Sequence, residues 1–141
     1  MRLHALVLAL LASTQALAAP VSIDVSARII SNFKIGSSET HFGALEFNGG
    51  LELASYNRDF GSISAMRFLE PGSKMISVSD NGFWVAGTID HDAAQHPSGM
   101  SAVRISEMTD QTGADITEKW LADAEGLLAD GVKITDRKSV V

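Results

Sequence analysis

The sequence predicts an all-β fold: an incomplete β-propeller-like arrangement of antiparallel meander sheets, preceded by an N-terminal signal helix. Three observations carry this expectation. Four short strand-like runs follow one another between Gly61 and Met108, divided by turn residues and with no helical pattern among them. An earlier run, Val21 to Ile29, alternates apolar and polar residues without a miss, the pattern of a strand with one face buried and one wet. Four antiparallel strands of this length also make one propeller blade or one quarter of a sandwich, and neither stands alone.

The elements are read in order as follows. Val21–Ile29 is the first strand, and Asn32–Ser38 is loop. His41–Phe47 and Leu51–Ala54 flank Asn48-Gly49-Gly50, a connection that permits positive φ and so predicts a hairpin between them. Ser62–Leu69 leads through a Pro71-Gly72 turn to Lys74–Val78, and Asp80-Asn81-Gly82 turns the chain into Phe83–Ile89. Asp90–Ser98 has the composition of a solvated connection, and Met100–Glu107 completes the four-strand unit.

Residues 114–130 resist this reading. Ile116, Trp120, Leu121, Ala124, Leu127 and Leu128 fall at helical spacing, Asp115 and Glu118 stand as a cap and its reciprocal partner, and Gly131 offers a stop. Gly126 opposes it, costing roughly 1 kcal/mol in a helix interior relative to Ala. The choice has chemical weight. In an extended chain Asp123 and Glu125 share one face and converge, whereas in a helix residues two apart diverge.

The ends and the composition bound the function. Arg2 and His4 precede an apolar run from Ala5 to Ala12, and Ala16-Leu17-Ala18 presents small residues where a signal peptidase reads; residues 1–18 are therefore expected to be a secretory signal peptide. The run is too short to span a bilayer. The expected location is secreted or periplasmic, with no membrane anchor, since a lipoprotein anchor needs a cysteine and the chain has none. Asp136–Val141 follows a strand-like Val132–Thr135 without turn or cap, and matches the in-frame translation of a common sequencing adapter; it reads as a non-native tail, the alternative being a genuine basic terminus. On that reading residues 19–135 are the N-terminal part of a longer domain. The 141 residues hold 17 acidic and 11 basic side chains, a net charge of −6. Without Arg2 and the tail the balance is more acidic still. Such a surface repels phosphate backbones and anionic lipid, which argues against a nucleic-acid partner, and it suits cations.

The ordered set Gly61-Ser62-Ile63-Ser64-Ala65, Val78-Ser79-Asp80-Asn81-Gly82-Phe83-Trp84 and Asp123-Ala124-Glu125-Gly126-Leu127 resembles the family called esterase-like activity of phytase. The similarity runs from about Phe42 to Thr135. It implies a secreted bacterial propeller-like protein in which the Asp-x-Glu-Gly-Leu segment is a short strand after a loop. It also implies acidic residues that hydrolyse phosphate esters, which places Asp123 and Glu125 as catalytic candidates. The family's later Ser-Phe-Glu-Arg-like strand and remaining blades have no counterpart here, so the chain as it stands is expected to be an inactive fragment without a cooperative melt.

The residues admit a calcium site. Ca²⁺ takes six to eight oxygen ligands, and Asp80, Asp123 and Glu125 could supply part of such a shell, while Arg58 could orient a phosphorylated small molecule through paired hydrogen bonds. Each has a plainer role beside it: Asp80 as the cap of its own turn, Asp123 and Glu125 as solvated loop residues, Arg58 as the surface partner of Asp59. No Gly-x-Ser-x-Gly elbow is present, and Ser62 and Ser64 fall in an ordinary strand. His91 and His96, with Asp90 and Asp92, have the makings of a metal cluster but sit in a loop of solvated composition. Trp84 lies in the most apolar strand and reads as core rather than as a sugar platform. Two functions stay open: an exported phosphoester hydrolase, and a non-catalytic propeller that binds or scaffolds.

Overall fold

The computed structural model describes residues 19–110, 112–116, 126–130 and 133–137. Among these the chain is all-β, antiparallel throughout and without a helix, and none of its sheets closes on itself. Eleven strands form: β1 (Val21–Ser22), β2 (Ser26–Ile30), β3 (His41–Phe42), β4 (Leu45–Glu46), β5 (Gly50–Ala54), β6 (Ile63–Phe68), β7 (Lys74–Ser79), β8 (Phe83–His91), β9 (Pro97–Glu107), β10 (Gly126–Asp130) and β11 (Lys133–Arg137). The expected signal helix and the Lys138–Val141 part of the tail lie outside the described residues. Asp136 and Arg137 belong to β11, paired with Leu127 and Gly126.

The four-strand meander forms as its turn residues dictate, and β1 adds to its far edge to give the order β1-β9-β8-β7-β6. Strand β7 sits inside this sheet and is buried from Met75 onward except for a half-buried Ile76. Its alternation therefore feeds two cores. Met75, with Val85, Met100, Val103 and Ile105, packs on one face against Ile23, Val25, Leu53 and Phe60. Val78 packs on the other face with Met108 and Leu127, joined by Ala65, Ile76, Trp84 and Ile116. Trp84 is thus core, as its strand suggests. The polar groups in these layers are satisfied: the Ser77 hydroxyl donates to the Val85 carbonyl at 3.1 Å, and Ser79 Oγ accepts from the Phe83 amide at 3.1 Å.

Two elements differ from the sequence reading. The alternation of Val21–Ile29 predicts one strand, but the chain breaks at Ile23–Val25, because β1 pairs with β9 (Val21 with Ile105) while β2 leaves for a separate ribbon with β5. The hairpin expected around Asn48-Gly49-Gly50 does not form either. The turn falls instead between β3 and β4, where Gly43 adopts φ +65°, and β5 pairs with β2 from Ser26–Ala54 to Ile30–Gly50, with Arg28 and Glu52 ion-paired across the register. A five-residue partner strand offers a longer ladder than the two-residue pairing of β3 with β4, and long-range pairing of that kind leaves no local signature.

Three layers stack. The β2–β5 ribbon covers part of one face of the five-stranded sheet, and β10, leading the β10–β11 hairpin, packs on the other against β6 and β7.

A bulge marks β9. Arg104 pairs with Ala86 and Ser101 with Thr88, so two residues, Ala102 and Val103, oppose Gly87, and Ala102 is forced to φ +51°. A left-handed Cβ costs roughly 1–2 kcal/mol, against roughly 0.5–1 kcal/mol of chain entropy for a glycine. The exposed Ala102 loses no packing on replacement. Ala102→Gly is therefore expected to stabilise the fold by up to about 1 kcal/mol, read as slower hydrogen exchange of the β8 and β9 amides.

Two loops are tied by aspartates. Asp92 Oδ1 accepts from the amides of His96 and Ala94 at 2.9 Å each, and Asp110 Oδ1 accepts from the Thr112 hydroxyl at 2.6 Å and the amides of Thr112 and Ala114. These bonds hold both carboxyls below the ordinary value of 3.8, the His96 amide acting most strongly on Asp92 and the Thr112 hydroxyl on Asp110. A lowered carboxyl contributes its order above the unfolded value and loses it as pH falls through the folded one. Amide exchange at Ala94, His96, Thr112 and Ala114 is expected to lose protection on acidification below pH 3.8 while the β7 and β8 amides hold theirs. Simultaneous loss everywhere would refute this.

Candidate functional site

The candidate site lies where the β7–β8 turn meets the β5–β6 connection. Ser79-Asp80-Asn81-Gly82 reverses the chain, with the Gly82 amide donating to the Ser79 carbonyl at 3.1 Å and Gly82 at φ +81°, a conformation that favours glycine. Capping of this turn falls to buried Ser79, which accepts from the Phe83 amide. The sequence reading allowed Asp80 as the cap of its own turn. The structure instead points its carboxylate across to β6, where Oδ1 accepts the Ser64 hydroxyl.

This reach depends on an irregularity. The register of β6 against β7 shifts between Ile63 and Ala65, Ser62 takes φ +48°, and the Asp80 amide donates to the Ser62 carbonyl at 3.0 Å. Ser64 is thus the polar partner that sequence reasoning passed over as part of an ordinary strand. No local pattern could reveal it, because the two residues stand 16 positions apart and a bulge sets the direction of Ser64.

Arg58 sits in the Asn57–Phe60 turn at the same end of the sheet. The Phe60 amide closes that turn on the Asn57 carbonyl at 3.3 Å, and Asn57 Oδ1 accepts from the Asp59 amide at 2.8 Å. Arg58 is exposed, and among the described residues it forms no ion pair, with Asp59 or with any other acid. Asp59 and Asn57 instead line a cavity of about 320 Å³ with Phe83, Ile105, Ser106 and Glu107.

Asp123 and Glu125 lie outside the described residues. Their neighbour Leu127 does not: it is 4 % exposed and packs on Val78 and Met108. Leu127 follows Glu125 by two residues, Val78 precedes Asp80 by two, and the Met108 amide donates to the Gly82 carbonyl of the Asp80 turn at 2.8 Å. Gly126–Asp130 is a strand, so here the extended alternative prevails over the helical one. Asp80 presents a hard carboxylate, of the kind calcium takes, with one oxygen engaged by Ser64. Among the described residues no three His, Cys, Asp or Glu side chains gather closely enough to hold a metal ion. His96 Nδ1 approaches Asp92 Oδ2 at 3.6 Å in the β8–β9 loop, away from the Asp80 turn, and His91 ends β8.

Among the described residues these features define an antiparallel all-β protein with an acidic, turn-borne candidate site at one end of its central sheet, opposite the Asp92–His96 loop. Residues 58–134 match the family Phytase-like, described as esterase-like activity of phytase. The chain belongs to this family. The matched span opens at Arg58 and contains Asp80, Asp123 and Glu125. No curated protein and no solved structure matches the chain.

Proposed function

We propose that this protein is an exported phosphoester hydrolase of propeller-like build, whose acidic residues Asp80, Asp123 and Glu125 hold calcium and whose Arg58 orients the phosphate. Membership of a phytase-like hydrolase family supports the reaction class. The observation that supports the site is the seat of Leu127 on Val78 and Met108: it brings the last residue of the Asp-x-Glu-Gly-Leu segment against the first of the Val-Ser-Asp-Asn-Gly turn, two stretches 41 and more residues apart in sequence that both carry the resemblance. The stacking of three antiparallel layers, each face of the central sheet meeting a neighbouring layer, supports the propeller-like build.

Calcium at these carboxylates would offset the repulsion between an acidic protein and an anionic ester and polarise a phosphoryl oxygen. Asp123 and Glu125 are the catalytic residues in this reading, with Asp80 fixed by Ser64 as a ligand of set direction. The guanidinium of Arg58 makes a bidentate contact with the phosphate.

The test is hydrolysis of p-nitrophenyl phosphate by the full chain in calcium and in excess chelator. Turnover that needs calcium would carry the hydrolase reading against the expectation, drawn from the sequence, that the chain as it stands is inactive. A folded chain that binds calcium but turns over no ester would favour the second reading, a non-catalytic binding or scaffold protein.

A further inference from the structure

The cavity of about 320 Å³ that Asp59 lines also takes in Glu107, Ser106 and the backbone at Ala19. Its lining holds two carboxylates and no basic side chain; Arg58, next to Asp59 in the chain, does not line it. Neither Asp59 nor Glu107 has an ion-pair partner among the described residues. Two carboxylates on one cavity repel each other and favour a cation between them.

The strand register brings a source of positive charge to this place. β1 pairs Val21 with Ile105 and Ser22 with Arg104, so the same register carried two residues back sets Ala19 opposite Glu107 and Pro20 opposite Ser106. Proline holds the residue before it extended, which keeps Ala19 in line with β1. Ala19 is also the residue that follows Ala16-Leu17-Ala18, the small-residue pattern where a signal peptidase reads. Hydrolysis of the Ala18–Ala19 peptide bond consumes one water, leaves a carboxylate on Ala18 and frees an α-amino group on Ala19, which is protonated at neutral pH because its ordinary pKa is about 7.7–8.0. A metal ion suits the cavity less well. Calcium takes six to eight oxygens, and among the described residues no third acidic or histidine side chain joins these two. An ammonium has three N–H donors, and Asp59, Glu107 and Ser106 offer three side-chain acceptors.

We infer that Ala19 begins the mature chain and that its α-ammonium docks between Asp59 and Glu107, so that removal of the leader completes the attachment of β1. Before the cut the Ala19 nitrogen is a neutral amide. After it, the edge strand β1, held on β9 by two residue pairs and by the Ile23 amide on the Val103 carbonyl at 3.1 Å, gains a tie to the Asn57–Phe60 turn. This docking is independent of the hydrolase reading.

The experiment has two arms. The full chain is expressed for export in a bacterial host and the mass of the exported product is measured. Loss of residues 1–18 and nothing more is expected, and an uncut chain or a different new terminus would overturn the inference. Hydrogen exchange at the Ile23 amide is then followed in that product, in a product carrying one extra glycine before Ala19, and in the Asp59→Asn/Glu107→Gln form of each. The extra glycine keeps the charge but moves it one residue away from the acids, and is expected to speed exchange about two- to fivefold, the scale of an exposed ion pair. The double substitution is expected to do the same in the product that begins at Ala19 and to add nothing in the extended one. Additive effects would overturn the inference, as would an Ile23 amide without protection in the mature chain. Calcium that slows exchange in the mature chain but not in its doubly substituted form would also overturn it and give the two acids to a metal ion.

Discussion

Glu125→Gln and Asp123→Asn are each expected to lower calcium-dependent phosphoester hydrolysis by two orders of magnitude or more while leaving the sheet intact. Either change keeps the shape of the side chain and removes one negative charge and one strong oxygen ligand, which weakens a hard cation that takes six to eight such ligands. A hundredfold loss corresponds to about 2.7 kcal/mol of transition-state stabilisation, the scale on which a single electrostatic group acts in a site of this kind. The fold is expected to persist because the anchor of this segment is Leu127, buried on Val78 and Met108, and neither substitution touches it. Asp80→Asn should cost activity as well, through the lost charge, since the amide oxygen that replaces Oδ1 still accepts the Ser64 hydroxyl. The measurement is kcat and calcium dependence for p-nitrophenyl phosphate beside far-ultraviolet circular dichroism. Unchanged kcat in both variants would remove these residues from the chemistry.

Val78→Asp is expected to abolish the folded state. Val78 is fully buried in an interior strand of the sheet and joins β7 to Met108 and Leu127, so a carboxylate there has no water and no cation to meet. Burying such a group costs about 4 kcal/mol or more, most of the stability of a small domain. The effect should reach the site, because the same contact holds β10 beside the Asp80 turn. Dispersion of amide resonances is expected to collapse in Val78→Asp and to survive in a control at exposed Ser101, and dispersed spectra from both would contradict the two-sided core.

Set beside each other, these variants separate two roles of one short stretch. In the proposed reading Val78 acts through packing and Asp80, two residues later, through its carboxylate. A protein that only binds or scaffolds would be sensitive to the first and indifferent in turnover to the second.

The meander was legible because its information is local. Pro71-Gly72 and Asp80-Asn81-Gly82 set two reversals, and the intervening runs have strand length and composition, so β6 to β9 follow with boundaries shifted only slightly; β8 and β9 extend to His91 and back to Pro97 into what reads as loop. Family membership was legible for the same reason, since its motifs are contiguous stretches within residues 58–134. The division of Val21–Ile29 between two sheets was not, because a perfect alternation states that a strand has two faces and is silent on which neighbour it pairs with.

By itself, then, the amino-acid order determined the antiparallel all-β class and the turns of the central meander. Partners across the sheets were decided only by tertiary structure: β5 with β2 rather than with the strand before it, Ser64 with Asp80 through a bulge, and Leu127 against Val78. Backbone turns and side-chain alternation are written over a few residues, whereas the pairing of distant strands is settled by competition for buried apolar area and ladder length over the whole chain, which no short window contains.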